Sequence, residues 1–184
     1  ALIKKRQYNE ARQLLERAKK QGVTEKRLNS LKAKLSPRNK KRDNADISPN
    51  QELLNKLLEH YQKGRYNDAE RLAVAITQEF PKHHFSWKVL GAVLKEVGRI
   101  NDSLIPSQKA VNLMPKDTEA RNNLGITLKE LGRLHEAKTS YKQAITSKPH
   151  FAEAYSNLGV VLKALGSLRE AEASYKQAIT IKPD

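Results

Sequence analysis

Apolar and small residues recur at helical spacing in the C-terminal three quarters of the chain, and the pattern restarts every 34 residues. In the last period they fall at positions 4, 7, 8 and 11, which lie on one face of a helix, whereas the first period has Lys56 and His60 at positions 7 and 11. A glycine follows at position 15 of each period: Gly64, Gly98, Gly132 and Gly166. A proline stands at position 32: Pro81, Pro115, Pro149 and Pro183. Because helices commonly end at glycine and before proline, each period predicts two helices joined by a tight turn.

The repeated units also agree in the residues that would face each other. We start the four units at Asn50, His84, Thr118 and Ala152. The first helix has glycine at position 8 in three units: Gly91, Gly125 and Gly159. The second helix has small residues at position 20 and, in the last two units, Tyr141 or Tyr175 at position 24. A residue without a side chain lets a partner helix approach closely. Segments 118–150 and 152–184 share 21 of 33 aligned residues, so the same packing is expected to recur.

These residues resemble the tetratricopeptide repeat (TPR). Trp87, Leu90 and Gly91 at positions 4, 7 and 8, small residues at 20 and 27, and proline at 32 match the motif over residues 50–184. The resemblance implies an all-α fold, a TPR α-solenoid in which antiparallel helix pairs form a right-handed superhelix with a concave groove. Stacked units bury apolar faces that one helix pair alone leaves exposed. The four predicted repeats are 50–83, 84–117, 118–151 and 152–184.

The N-terminal quarter fits the pattern less well. Residues 1–35 are predicted to form partial, degenerate TPR helices. Residues 36–49 contain two prolines and several basic residues without an apolar stripe, which predicts a basic flexible linker. We expect the chain to be a fragment of a longer protein, because the pattern begins inside a repeat and no polar capping helix follows Pro183.

One proline stands where the pattern predicts helix. Pro106 lies at position 23, inside the second helix of its unit. A proline in a helix interior removes a hydrogen bond and costs about 3 kcal/mol. We therefore expect a kink, a helix that starts late, or a local change in the pitch of the superhelix.

The resemblance places positions 2, 5, 6, 9 and 13 of each first helix along the groove, with position 12 at its edge. At position 6, Asn123 and Asn157 offer a donor and an acceptor that match a peptide amide. Such an asparagine ladder resembles that of O-linked N-acetylglucosamine transferases, to whose repeats residues 154–166 are similar. Val89 interrupts the ladder here. The alternative is that these asparagines are ordinary surface residues of the consensus.

Other predicted groove residues are charged, polar or apolar. A lysine recurs at position 12 in three units: Lys95, Lys129 and Lys163. These lysines would attract an acidic peptide, or they are solvated surface residues. Lys88 and Asn122 stand at position 5, and Phe85 and Ile126 supply apolar contacts. The carboxylate clamp of heat-shock co-chaperones is incomplete, because Ala92, Glu153 and Asn157 depart from its pattern.

The amino-acid composition excludes several kinds of catalytic and metal site. The chain has 184 residues and no cysteine, which excludes disulfides, thiol catalysis and zinc–thiolate sites. No two of the five histidines have the i, i+4 spacing of a helical metal site, and there is no Gly-rich phosphate loop. We expect no catalytic residues, no metal and no cofactor. No apolar run reaches the roughly 20 residues of a membrane span, so we expect no membrane partner. The lack of cysteine favours a cytoplasmic location.

The charge is uneven along the chain. Residues 1–48 have 15 Lys or Arg and 5 Asp or Glu, a net charge of +10, out of +15 for the whole chain. This basic segment would bind phosphates without sequence specificity. It lacks the interleaved aromatic residues that stack on bases, so a solubilising linker is favoured over nucleic-acid binding.

The sequence therefore predicts a protein–protein interaction module that binds an extended peptide or partner protein in the concave TPR groove. An alternative is a substrate-recruiting TPR arm of a larger, O-GlcNAc transferase-like enzyme whose catalytic domain lies beyond residue 184. A third hypothesis is self-association through the uncapped ends of the array. The identity of the peptide is not encoded in the scaffold residues.

Overall fold

A computed structural model describes residues 48–183 of the chain. In this part every regular element is an α-helix, and the helices alternate with short turns. They are α1 (Gln51–Gln62), α2 (Tyr66–Glu79), α3 (His84–Glu96), α4 (Ile100–Leu113), α5 (Thr118–Glu130), α6 (Leu134–Ser147), α7 (Ala152–Ala164) and α8 (Leu168–Ile181). Each 34-residue unit contains one pair of helices. The predicted helices in residues 1–35 and most of the predicted linker at 36–49 lie outside the described residues.

The predicted turn glycines join the two helices of each pair. They have positive φ angles, with 68° at Gly64 and 72° at Gly132, a region that residues with a side chain rarely adopt. The amide that follows each glycine bonds back to the last helical turn. Arg133 N, for example, donates to Leu128 O over 2.9 Å. This is the Schellman ending of a helix, and it reverses the chain with its carbonyls satisfied.

The helices form two layers that differ in the spacing of their helices. Each helix contacts its chain neighbours, and the odd-numbered helices also contact one another, α1 with α3, α3 with α5 and α5 with α7. The backbones of the even-numbered helices lie further apart, and long side chains link these helices, as in the ion pair of Lys138 on α6 with Glu170 on α8 over 3.7 Å. We call the odd-numbered helices the inner layer and the even-numbered helices the outer layer. Because the inner layer is the more closely spaced, this array curves with its inner helices on the concave side.

The apolar core continues across the boundaries between units. Ile76 of α2 lies in one buried cluster with Val89 of α3, and Tyr141 of α6 lies in another with Leu158 of α7. Neighbouring units therefore share one core, as expected for a solenoid stabilised by nearest-neighbour interfaces. The all-α solenoid predicted from the repeat pattern is confirmed.

Within a pair, the residues at positions 8 and 24 complement each other in size. A Cβ atom added at Gly125 would lie 2.5 Å from Cε1 of Tyr141, and one added at Gly159 would lie 2.7 Å from Cε1 of Tyr175. The first unit reverses the sizes, with Leu57 at position 8 and Ala73 at position 24, both fully buried. Glycine is thus required at position 8 in the units where the tyrosine ring at position 24 fills the space that a larger side chain would need.

The hydroxyl of Tyr141 is buried and has no hydrogen-bond partner among the described residues. Burial raises the pKa of this hydroxyl. The hydroxyl therefore stays protonated, and its hydrogen has no acceptor. We expect Tyr141→Phe to leave the free energy of unfolding unchanged or to raise it by about 1 kcal/mol, because an unpaired buried hydroxyl is destabilising. Urea denaturation followed by circular dichroism measures this change. A loss above about 1 kcal/mol would show that the hydroxyl has a bonding partner.

Pro106 lies within a helix that does not start late. Helix α4 begins at Ile100 and continues through Pro106, which is buried. The expectation of a delayed helix start is therefore wrong. The carbonyl left without its i+4 donor belongs to Asp102, an exposed residue in the first turn of the helix. The buried ring meanwhile contributes apolar surface to the core.

Candidate functional site

A buried lysine links the inner helices α3 and α5. The Lys88 ammonium on α3 lies 3.0 Å from Oδ2 of Asp117 and 3.0 Å from Oε2 of Glu119. Asp117 also caps α5, because its Oδ1 accepts from the backbone N–H of Ala120 over 2.9 Å. The Lys88 and Asp117 side chains are only 16% and 10% exposed. This ion pair therefore fixes the start of α5 against the preceding unit.

The two partners shift each other's pKa values in opposite directions. Burial alone would lower the pKa of Lys88, but hydrogen bonds and charge from Glu119 and Asp117 outweigh it and raise that pKa. Burial alone would raise the pKa of Asp117, but hydrogen bonds from Ala120 N and Lys88 outweigh it and lower that pKa. Both groups are thus held in their charged forms. His84 adds a weaker contact, with its Nε2 atom 4.0 Å from Asp117 Oδ2.

An amide network makes the corresponding link one unit further on. Asn122 on α5 donates through Nδ2 to Oε1 of Glu153 over 2.8 Å, and its Oδ1 accepts from Nδ2 of Asn157 over 3.1 Å. Glu153 and Asn157 both belong to α7. Asn122 is only 2% exposed, and these two bonds satisfy its acceptor and one of its donors. The helices α5 and α7 are therefore tied by side chains at the same unit positions as α3 and α5.

This arrangement changes the interpretation of two predicted groove residues. Lys88 and Asn122 stand at position 5, and each contacts the residue at position 2 of the next unit, 31 residues away in the sequence. Their functional groups hold neighbouring units together and are not displayed to a ligand. The acidic partners, Glu119 and Glu153, were not predicted. Their common 31-residue offset from position 5 is the sequence signal that identifies them.

The two asparagines of the predicted ladder, Asn123 and Asn157, differ in their hydrogen bonding. Asn123 is half-buried, and its side chain makes no hydrogen bond with any described residue. Asn157 is half-buried and uses one donor on Asn122. Phe85 is half-buried against the core, with its ring 5.8 Å from the Lys88 ammonium. Of these residues, Asn123 is the one whose amide has all of its bonding capacity left for a ligand.

Position 9 of the inner helices contains an apolar row that sequence reasoning identified only at Ile126. The row consists of Leu58, Ala92, Ile126 and Val160. Leu58 is 37% exposed and Val160 is 43% exposed, although both are large aliphatic residues. Position 9 follows positions 5 and 6 by one helical turn on the same side. The hydrogen bonds between inner helices therefore place this row on the concave face.

The lysines at position 12 follow the apolar row by one further turn. Lys95 lies 3.8 Å from the carboxylate of its neighbour Glu96. Lys129 and Lys163 form no ion pair with any residue in the part of the chain that the structure describes, and Lys163 is exposed. The lysines thus stand beside the apolar row, and the exposed carboxylates of Glu96 and Glu130 follow Lys95 and Lys129 directly in the sequence.

Within residues 48–183, no group of three or more His, Cys, Asp or Glu side chains could hold a metal ion. None of the helices described there is long and apolar enough to cross a membrane. The geometry defines an α-solenoid that presents a groove formed by side chains of successive inner helices. Such arrays are protein-interaction modules and in general not enzymes.

Sequence comparison identifies the repeat unit in the C-terminal third of the chain. A sequence model described as "TPR repeat" matches residues 127–166, and one described as "Tetratricopeptide repeat" matches residues 152–184. These matches show tetratricopeptide repeats in residues 127–184, as the motif residues predicted, and the helix pairs of residues 51–181 repeat the same unit. Curated protein sequences give no significant match.

Solved structures of TPR proteins are similar to the chain over most of its length. The crystal structure of MamA has a TM-score of 0.66 and 25% identity, covering 74% of this chain and 77% of MamA. TTC0263, a thermophilic TPR protein of Thermus thermophilus, has a TM-score of 0.62 and 25% identity, covering 72% and 74%. YrrB, described as a TPR protein with an unusual peptide-binding site, has a TM-score of 0.66 and 23% identity, covering 96% and 80%.

Proposed function

We propose that the chain binds an extended peptide, or an extended segment of a partner protein, in the concave groove formed by α1, α3, α5 and α7. The difference between the two layers carries this proposal. The backbones of the inner helices lie close enough to form a continuous curved surface, whereas those of the outer helices are spaced further apart. A surface continuous across four helices suits a ligand that crosses all of them, and an extended chain has that shape.

The groove's own chemistry supports the same conclusion. Its bonded polar groups at position 5 make it rigid, so a ligand meets a preformed surface and little ordering entropy is lost on binding. Asn123 supplies a free amide, Val160 an exposed aliphatic side chain and Lys163 an exposed charge. The likeness to YrrB, at 23% identity, supports the fold alone. The peptide-binding proposal therefore depends on the groove residues of this chain.

Photo-crosslinking tests where a peptide binds. Benzoylphenylalanine is introduced at Val160, an exposed residue at position 9 of α7, and separately at Thr139, an exposed residue on the outer helix α6. The full chain is irradiated with a pool of random 15-residue peptides. We expect crosslinked peptide at position 160 and none above background at position 139. Equal labelling of both positions, or labelling of Thr139 alone, would contradict binding in the groove.

Two further hypotheses remain predictions. A substrate-recruiting role beside a transferase domain depends on sequence beyond residue 184. Self-association through the ends of the array likewise stays a prediction. Sedimentation at several protein concentrations would test self-association.

A further inference from the structure

The end of the groove formed by α1 and α3 is apolar, whereas the end formed by α5 and α7 is polar. On α1, positions 5, 9 and 12 are Leu54, Leu58 and Tyr61, which lie on one face of the helix because they are four and three residues apart. No later unit is apolar at all three positions, since position 12 is a lysine in each of them. Leu58 is 37% exposed, and the other two residues are half-buried. The first inner helix therefore has an apolar face on the concave side.

Helix α3 continues this apolar surface. Its position 2 is Phe85, where the next two units have Glu119 and Glu153. Each of those glutamates bonds to the residue at position 5 of the preceding unit. The same register places Phe85 opposite Leu54. Phe85 and Tyr61 also pack against one and the same buried cluster, so the apolar surface of α3 adjoins that of α1.

Two further positions of α3 are apolar and small or buried. Position 6 is Val89, which is 5% exposed, whereas α5 and α7 have the asparagines of the predicted ladder there. Position 9 is Ala92, the smallest residue of the apolar row, and it is half-buried. Its side chain ends at Cβ and leaves room for a ligand side chain between Leu58 and Ile126. We define the apolar end of the groove as Leu54, Leu58, Tyr61, Phe85 and Ala92.

The charged groups on the concave side of α3 are already paired. The Lys88 ammonium lies 3.0 Å from carboxylate oxygens of Asp117 and Glu119, and the Lys95 ammonium lies 3.8 Å from the carboxylate of Glu96. The exposed residues at positions 2, 6 and 13 of α1 are uncharged: Gln51, Asn55 and Gln62. A charged ligand residue at the apolar end would lose hydration without gaining a counter-ion, whereas an apolar residue gains free energy on burial. The balance of charge therefore favours an uncharged ligand segment here.

We infer that the apolar end binds an uncharged segment of the ligand that carries aliphatic or aromatic side chains. One of these side chains lies on Ala92, against Leu58 and Phe85. The polar and charged residues of α5 and α7 contact the rest of the ligand, so the apolar segment determines which end of the ligand lies over α1. This inference rests on the proposed peptide-binding function and specifies part of its ligand.

Synthetic peptides test the chemistry of the ligand. The probe is the fluorescein-labelled, end-blocked peptide Ser-Gly-Leu-Ser-Phe-Gly-Leu-Ser, and its binding to the full chain is measured by fluorescence anisotropy. One control peptide has glutamate in place of every leucine and phenylalanine, and a second has lysine. We expect both controls to bind at least tenfold more weakly than the probe, because neither charge finds a partner at the apolar end. A control that binds as tightly as the probe would overturn the inference.

Protein variants test the residues of the apolar end. Leu58→Ser removes an apolar contact, and Ala92→Leu fills the space that the ligand side chain needs, so each should lower the affinity for the probe at least tenfold. The matched control is Ile105→Ser, which removes an aliphatic side chain that is 72% exposed on the outer helix α4. Its affinity should equal that of the wild type. Thermal unfolding followed by circular dichroism confirms that the variants are folded. Wild-type affinity in both groove variants, or an equal loss in the control, would contradict binding at the apolar end.

Photo-crosslinking separates this inference from the proposed function. Benzoylphenylalanine is introduced at Asn55, an exposed residue on α1, and in a second protein at Val160. We expect the uncharged probe to label position 55 more strongly than position 160. If random peptides crosslink at position 160 but the probe binds no better than its two controls, the inference is wrong and groove binding stands. If random peptides crosslink at neither position, the proposed function and the inference both fail.

Discussion

Replacing Gly125 by alanine is expected to lower the free energy of unfolding by about 2–3 kcal/mol, although alanine is the better helix former by about 1 kcal/mol. The added Cβ atom would lie 2.5 Å from Cε1 and 2.8 Å from Cδ1 of the Tyr141 ring. That ring is fully buried in the core shared by α5 to α8. It cannot move aside without displacing its neighbours. Urea denaturation of the full chain, followed by circular dichroism, measures the loss.

A double-mutant cycle identifies the cause. Tyr141→Ala alone should destabilise by about 3–5 kcal/mol through the cavity that it leaves. In that background Gly125→Ala should cost nothing or stabilise, because the ring is gone and the helix propensity of alanine remains.

Gly91→Ala is the matched single variant. Its nearest obstacle is the Ser107 hydroxyl, a small group that can rotate, so its cost should be smaller. Equal effects at the two glycines, or additive effects in the cycle, would contradict this explanation.

Replacing Lys88 by methionine is expected to lower the free energy of unfolding by about 3 kcal/mol at neutral pH. Methionine keeps the apolar stem but leaves Asp117, which is 10% exposed, as a buried carboxylate without its cation. Lys109→Met changes an exposed lysine of α4 and should have no measurable effect. Asp117→Asn added to Lys88→Met should restore part of the loss, because asparagine also caps helices and carries no charge.

The pH dependence of this difference distinguishes an ion pair from simple packing. The pKa of Asp117 is lowered on folding from its ordinary value of 3.8, so its stabilisation is present above about pH 4 and is lost as the pH falls through the folded value. The pKa of Lys88 is raised from 10.5, so its stabilisation is lost only when the pH rises above that value. The gap between wild type and Lys88→Met should be greatest from about pH 5 to pH 10 and should shrink in acid. A gap independent of pH would indicate lost packing alone.

The fold could be predicted because its determinants are local and repeated. The turn glycines, the prolines and the small residues at positions 8 and 20 each act within one unit or on the next one. A 34-residue period therefore determines the helix pairs and their stacking. The helix through Pro106 was less predictable. Ser103, Pro106 and Ser107 of this helix are buried, so tertiary packing outweighs the local preference against proline.

The groove was predictable in outline and not in detail. Helical periodicity gives the side of a helix on which a residue lies, and on this basis Asn123 and Lys163 were assigned to the inner face. It does not give the distance to the next inner helix, and that distance decides whether Asn122 meets a ligand or Glu153. The apolar row at position 9 was overlooked for a related reason. Ala92 differs in size from Val160, so no single residue type marks the row.

The separation of the outer helices has a mechanical consequence. Each outer helix packs against inner helices, and its links to the next outer helix are surface ion pairs, such as that of Lys138 on α6 with Glu170 on α8 over 3.7 Å. The array then resembles a spring with one stiff side and one compliant side. Bending that opens or closes the groove changes the gaps between outer helices, and surface ion pairs oppose such a change only weakly. The hydrogen bonds of Lys88 and Asn122 resist separation of the inner helices. These bonds therefore limit how far the curvature of the groove can adjust to ligands of different length.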